Sequence, residues 1–195
     1  MRRHIKKTTE KARNVKYRIT IFTVFLVLIY GIGFWYFNYT GARVSVMEGL
    51  DTANQDKIEL EENIREMVEG YPIEKMVPYI IEKDKMVAAF VVSIAKKESN
   101  WGKRVPVLNG EDCFNYWGYR GGGERVAPGG YTCFDTRQEA VEAIAGRISE
   151  LVNKYELKSP EDMIIWKCGS TCAGHSSYGV RKWISDVAYY FGKLY

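Results

Sequence analysis

The sequence is poor in the residues that most catalytic chemistries need. It has 2 histidines in 195 residues, and the one in Ala173-Gly174-His175-Ser176-Ser177-Tyr178 has no evident metal or nucleophile partner, so His175 reads as a loop residue. No Ser/His/Asp or Cys/His arrangement, phosphate-binding glycine loop or metal-ligand cluster can be assembled from the remainder, and the sequence therefore implies neither a cofactor nor a metal. Internal repeats and low-complexity tracts are absent. There is also little positive charge where it would matter. Residues 1–18 carry eight basic groups (Arg2, Arg3, Lys6, Lys7, Lys11, Arg13, Lys16, Arg18) against Glu10, which leaves the rest of the chain at −3 of the +4 total. A mildly acidic body lacks the basic surface that nucleic-acid binding requires.

What the chain does have begins with a long apolar run. Residues 19–37 read ITIFTVFLVLIYGIGFWYF, uncharged and just long enough to cross a hydrocarbon core as a helix. Trp35, Tyr36, Phe37 and Tyr39 at its end form the aromatic pattern of a membrane–water boundary. The apolar run exceeds a signal-peptide h-region, and bulky aromatics stand where a small-x-small cleavage site would be, so an uncleaved anchor is expected. The basic N-terminal flank places the N-terminus in the cytoplasm and residues 40–195 outside. All four cysteines, Cys113, Cys133, Cys168 and Cys172, fall on that outer side. Disulfides are expected there, Cys113–Cys133 across an irregular loop and Cys168–Cys172 closing a CGSTC turn. A zinc site is the competing reading, but the Cys113/Cys133 spacing forms no C-x2-C knuckle.

The expected organisation is a basic tail (1–18), a transmembrane helix (19–39), an acidic helical connector (40–71) and a compact domain (72–195). In the connector Leu50, Ile58, Ile64, Met67 and Val68 recur at loose helical spacing, which suggests a solvated stalk ended by Gly70-Tyr71-Pro72. Within the domain, Lys85–Ser99 is apolar at helical period. Thr136-Arg137-Gln138-Glu139 is a capping box opening a second helix. Ser159-Pro160-Glu161-Asp162 signals a third, and Val180, Trp183, Ile184, Val187 and Phe191 stripe a last one. Between Val105 and Phe134 glycines, Pro106, Pro128 and aromatics displace any helical period. The fold class is thus mainly α, an α+β domain with a small irregular hairpin lobe stapled by a disulfide.

Glu98 is the residue with chemical promise. On a helical wheel it falls within roughly 60° of Val87, Val91 and Ile94, extending their apolar stripe and leaving the Lys96/Lys97 face to solvent. A carboxyl group held in apolar surroundings keeps its proton to higher pH, which suits a general acid. The plain alternative is a helix-end glutamate with its head in water, or one paired with Lys103 or Arg104.

Four motifs follow in order. Glu98-Ser99-Asn100-Trp101-Gly102 ends the apolar helix, Asn115-Tyr116-Trp117-Gly118 lies in the irregular lobe, Tyr131 to Ala140 opens the next helix, and Tyr178 to Val187 begins the last. In this arrangement residues 72–195 resemble the lysozyme-like superfamily, and most nearly the bacterial endo-β-N-acetylglucosaminidases, with lytic transglycosylases as near relatives. The Gly-Leu-Met-Gln cleft motif of the latter is missing. The resemblance implies cleavage of β-1,4 bonds in the glycan strands of peptidoglycan, with Glu98 as catalytic acid and Ser99 either holding substrate or orienting Glu98. It implies a cleft turn at Asn115, Tyr116, Trp117 and Gly118, and cleft tyrosines at Tyr131 and Tyr178. Trp101 and Gly102 look like structural parts of the turn. A second carboxylate is needed for hydrolysis, and Glu111, Asp112, Glu124 and Asp135 are available. Glu124, in the Gly-Gly-Gly-Glu run, stands where some relatives keep a mobile second glutamate. Without such a partner, the substrate's own N-acetyl group would serve, as in transglycosylases. The non-enzymatic alternative is a module that keeps the cleft and binds glycan, or docks a partner in a secretion or division complex of the envelope; the sequence does not identify protein partners.

Overall fold

The computed structural model describes the backbone of residues 2–195 and the side chains of residues 16–18, 20–39, 52 and 54–195. The side chains of most of the basic tail, and that of Leu50, lie outside the described residues. The chain divides into two units, residues 1–55 and 56–195.

The first unit lies within a long helix, α1 (Arg2–Val68). Its stretch Lys16–Tyr39 is long and apolar enough to cross a membrane, and none of it is buried by protein. Trp35 and Tyr39, one turn apart, stack at 5.4 Å between centroids near the end of this stretch.

The second unit begins earlier than the sequence suggested. Leu60, Ile64 and Val68, at i, i+4 and i+8 of α1, are 5%, 0% and 0% exposed and belong to the main core. The expected solvated stalk is therefore wrong from Asp56 on. Ile58 faces out, and the true stripe runs through Leu60, which the loose spacing had concealed. The first turn after α1 is 3-10 (Pro72–Met76) and leads into a short α2 (Val77–Ile80).

Helix α3 (Lys85–Ser99) lies at the centre. Every residue from Val87 to Ala95 is buried, because α3 packs against both α4 (Arg137–Tyr155) and α6 (Ser177–Phe191). A helix apolar on nearly all sides can only be an interior helix. Asp84 caps it, its Oδ1 accepting from the Met86 N–H at 3.0 Å. Thr136 caps α4 through the Glu139 N–H at 3.0 Å, while Glu139 reaches back to the Asp135 N–H at 2.8 Å. Ser176 caps α6. The Ser159 signal opens a 3-10 turn (Asp162–Ile164) that passes into α5 (Ile165–Cys168).

The irregular lobe consists of two hairpins. Strands β1 (Val107–Leu108) and β2 (Glu111–Asp112) pair antiparallel around Asn109-Gly110, both at positive φ, as a tight hairpin requires. Strands β3 (Val126–Ala127) and β4 (Tyr131–Thr132) pair around Pro128-Gly129-Gly130. The Cys113–Cys133 disulfide joins the lobe's two halves, and both cysteines pack with Ala127 against Leu108 and Tyr131. Cys168–Cys172 closes the turn after α5. Both pairings are those expected.

Candidate active site

Glu98 sits in the last full turn of α3, half-buried, where the helix leaves the core. Its neighbours fix the direction of that exit. Asn100, Trp101 and Gly102 all adopt positive φ, of 54°, 56° and 92°. Gly102 is obligatory on two grounds: its φ, and a backbone so close to other groups that a Cβ would stand 2.8 Å from the Tyr116 ring and 2.9 Å from Pro72. The Ser99 hydroxyl accepts the Gly102 N–H at 2.9 Å and donates to the Ala95 carbonyl at 3.0 Å. Trp101 locks the turn by donating Nε1–H to the Val92 carbonyl at 2.9 Å. The Ser-Asn-Trp-Gly run that follows Glu98 is thus a helix terminator bonded to the backbone of α3.

Three tryptophans are buried in this unit, and the use of their N–H groups is unequal. Trp101 and Trp117 donate to the backbone carbonyls of Val92 and Val91 on α3. Trp183, fully buried on α6, donates instead to Oε1 of Glu98 at 2.7 Å. A buried indole N–H needs an acceptor, and here a side chain of α3 provides it across the α3–α6 interface. With Oε1 engaged, the other oxygen of Glu98 faces Gly118. A side chain added at Gly118 would begin 3.7 Å from Oε2, and its φ of 66° favours glycine. Gly118 is also part of the rim of a groove of about 320 Å³, which continues over Tyr119, Arg120, Arg147, Trp166 and Lys167.

The turn before Gly118 is built inward. Asn115 is 1% exposed; its Nδ2 donates to the Tyr119 and Thr132 carbonyls, and its Oδ1 accepts the Tyr119 N–H. Tyr116 and Trp117 are 1% and 0% exposed. Burial, reinforced by the charge of Asp112, pushes the Tyr116 phenol far above its ordinary value, so it remains a donor to Asp112 Oδ2 at 3.0 Å. The expectation that these side chains meet sugar is corrected: both rings and the Asn115 amide are spent within the fold. Ser99, 2% exposed and doubly bonded, is likewise a helix-end staple. For Asn115 the physical reason is that a short non-helical lobe has few ladder hydrogen bonds, so a buried side chain must satisfy its backbone; the two rings are core side chains, bonded to Asp112 and to α3.

Sequence reading missed Trp166 and Tyr119. Trp166 donates Nε1–H to the Trp117 carbonyl at 3.2 Å, and its ring stacks on Tyr119 at 6.0 Å, which in turn stacks on Phe134 at 6.5 Å. The half-buried Trp166 ring lines the groove together with Tyr119. Its signal in the sequence was weak, a tryptophan in a short helix with no periodic partner. Tyr131 is partly buried under the Arg120 guanidinium, which lies 4.5 Å from its ring centroid and donates to its hydroxyl at 2.9 Å. Tyr178 is 68% exposed in the first turn of α6.

The acids of the lobe differ in freedom. Asp112 accepts from the Phe114 N–H and the Tyr116 hydroxyl. Arg125 holds Asp135 and lies 3.9 Å from Glu111. Glu124 is exposed in the glycine-rich segment and has no ion pair or hydrogen bond among the described residues. His175 is exposed, its backbone N–H bonded to the Cys172 carbonyl. Comparison of the chain with family models, curated proteins and solved structures returned no match.

Proposed function

We propose that this chain is a membrane-anchored glycosidase of the lysozyme-like superfamily that cuts β-1,4 bonds between the N-acetylated amino sugars of peptidoglycan, with Glu98 as proton donor. One observation supports this above the rest. A half-buried carboxyl group at the end of an interior helix receives a buried tryptophan N–H at 2.7 Å and turns its second oxygen toward a glycine on the rim of a groove. A structural glutamate would more simply pair with a lysine. Lys97, its neighbour in sequence, pairs with Asp186 instead.

In this reading Trp183 fixes Oε1, so the transferable proton resides on Oε2, facing Gly118. A glycosidic oxygen at that position accepts the proton as its bond to C1 breaks. Water adds to C1 and gives its proton to a base, for which the unpaired Glu124 is the available acid of the lobe. If Glu124 does not serve, attack by the substrate's own N-acetyl or hydroxyl groups makes the enzyme a lytic transglycosylase, and the role of Glu98 is unchanged. The apolar stretch Lys16–Tyr39 would hold the enzyme in the membrane, with its basic flank inside and its disulfide-bonded domain outside. Confinement near the membrane suits remodelling of newly made wall.

The test is digestion of purified peptidoglycan by the detergent-solubilised chain, beside Glu98→Gln, with fragments read by mass spectrometry. Fragments with a GlcNAc reducing end, lost in the variant, are expected. Anhydro-MurNAc ends would assign transglycosylation. Binding without release by either protein would overturn the enzymatic reading and leave a glycan-binding module.

A further inference from the structure

The groove beside Glu98 carries more positive charge than cleavage of a neutral sugar chain calls for. Arg120, Arg147 and Lys167 line it, and no acid does. They come from three separate places, the segment after the Asn-Tyr-Trp-Gly turn, the middle of α4 and the end of α5, so no run of basic sequence explains their convergence. The unit that contains them is not basic: residues 56–195 hold 19 Lys and Arg against 21 Asp and Glu. Several cations elsewhere in the unit are paired with acids. Lys83 pairs with Glu142, Lys97 and Lys182 with Asp186, and Arg125 with Asp135. Within the groove only Arg147 has an acidic partner, Glu150 on its own helix at 2.6 Å. Arg120 is oriented by Tyr131, lying over its ring and donating to its hydroxyl, and half-buried Lys167 has no ion pair among the described residues.

The aromatic floor gives the groove a second character. Trp166 is held by its bond to the Trp117 carbonyl and stacks on Tyr119, and both rings line the groove together with its cations. Sugar rings pack on such rings through their C–H groups. Cations beside them favour an anionic group on the same ligand. Glycans of alternating GlcNAc and MurNAc meet both demands, because MurNAc bears a lactyl carboxylate or, when substituted, a peptide ending in carboxylates. Chitin-type glycans have the same backbone linkage and no charge.

Resting on the glycosidase reading, we infer that the groove of Arg120, Arg147 and Lys167 is a subsite for a carboxylate carried by the glycan strand, and that it selects charged wall glycan over neutral N-acetylglucosamine polymer. Gly118 both faces Glu98 Oε2 and rims the groove, so the proposal assigns the charged sugar to a position neighbouring the one being cleaved. Two sources of the carboxylate are possible, the lactyl ether itself and the peptide stem, and the ligands below separate them.

The experiment uses the full chain in detergent with Glu98→Gln to prevent turnover. Three tetrasaccharides are titrated by calorimetry: chitotetraose, peptide-free GlcNAc–MurNAc dimer with its lactyl carboxylates free, and the same dimer bearing peptide stems. The charged ligands are expected to bind at least about tenfold more tightly than chitotetraose at low salt, as two or three partly exposed charge pairs would give. The preference should shrink as salt is raised and fall toward one in Arg147→Gln/Lys167→Gln. Lys75→Gln, an exposed cation elsewhere, serves as the charge control. Tight binding of the peptide-free dimer identifies the lactyl carboxylate, whereas a preference confined to the peptide-bearing dimer identifies the stem. Equal binding of all three ligands, unaffected by salt and by the double variant, would overturn the subsite. If wild-type protein nevertheless cuts peptidoglycan, the glycosidase reading survives that result; if it neither binds nor cuts any glycan, both fall.

Discussion

Replacing Trp183 by Phe tests the role of the Trp183–Glu98 contact most directly. The ring is fully buried, so the smaller phenyl leaves a void that costs about 1–2 kcal/mol. The lost N–H removes one hydrogen bond, and because Glu98 is only half-buried its freed oxygen can turn to water, which keeps that loss near about 1 kcal/mol. The whole penalty is then about 2–3 kcal/mol, visible as a lower urea midpoint by circular dichroism with the slope unchanged. Trp101→Phe provides the internal control. Trp101 is also buried, at 3% exposed, and it also donates one hydrogen bond, but to the Val92 carbonyl. Its stability cost should be similar. Turnover of peptidoglycan, measured well below both midpoints, should separate the two. A carboxyl group that has lost its fixed donor swings by an ångström or more, and misplacement on that scale lowers kcat on the order of 10²-fold, whereas Trp101→Phe should retain most of it. Equal rates in the two variants at matched fractions folded would refute the claim that Trp183 positions Glu98.

Further outcomes follow from the same contacts. Ser99→Ala should lower stability by about 1–2 kcal/mol, since the Gly102 N–H loses its acceptor, with KM for peptidoglycan unchanged; a raised KM would restore a direct substrate role. Breaking Cys113–Cys133, at a sequence separation of 20, should cost about 3 kcal/mol, and breaking Cys168–Cys172, at a separation of 4, about 1 kcal/mol less; calorimetric melting of the two Cys→Ala pairs would measure this order. Burial pushes the Asp186 carboxyl up, but hydrogen bonds and charge from Lys97 and Lys182 outweigh it and hold the group below its usual range. Its contribution is therefore present above the ordinary carboxylate pKa and is lost as the pH falls through the depressed one. Asp186→Asn should flatten the acid side of the stability–pH curve by about 0.5–1 kcal/mol, a value kept small because the pair is partly exposed; an acid limb unchanged by the variant would contradict it.

Several elements of this protein could be read from local pattern because local physics decides them. The apolar helical stretch Lys16–Tyr39, the helix Lys85–Ser99, the Thr136 cap and the hairpin lobe depend on hydropathy, period, side-chain caps and turn residues, all written within a few positions of one another. The half-buried position of Glu98 has the same origin, since its place on the apolar stripe follows from helical geometry. Other features required the tertiary fold. Whether an Asn, Tyr or Trp in a glycine-rich turn faces solvent or core depends on what lies opposite: α3 takes the Trp117 N–H at Val91, Gly102 approaches the Tyr116 ring, and the Tyr119 and Thr132 backbone engages Asn115. The start of the compact unit at Asp56 shows the same dependence, because the Leu60, Ile64 and Val68 stripe has meaning only once a core is present to receive it. Amphipathic period sets which residues can be buried together. Only long-range packing decides which of them are, and it alone brings Trp183 to Glu98 across 85 residues of chain and gathers Arg120, Arg147 and Lys167 around one groove.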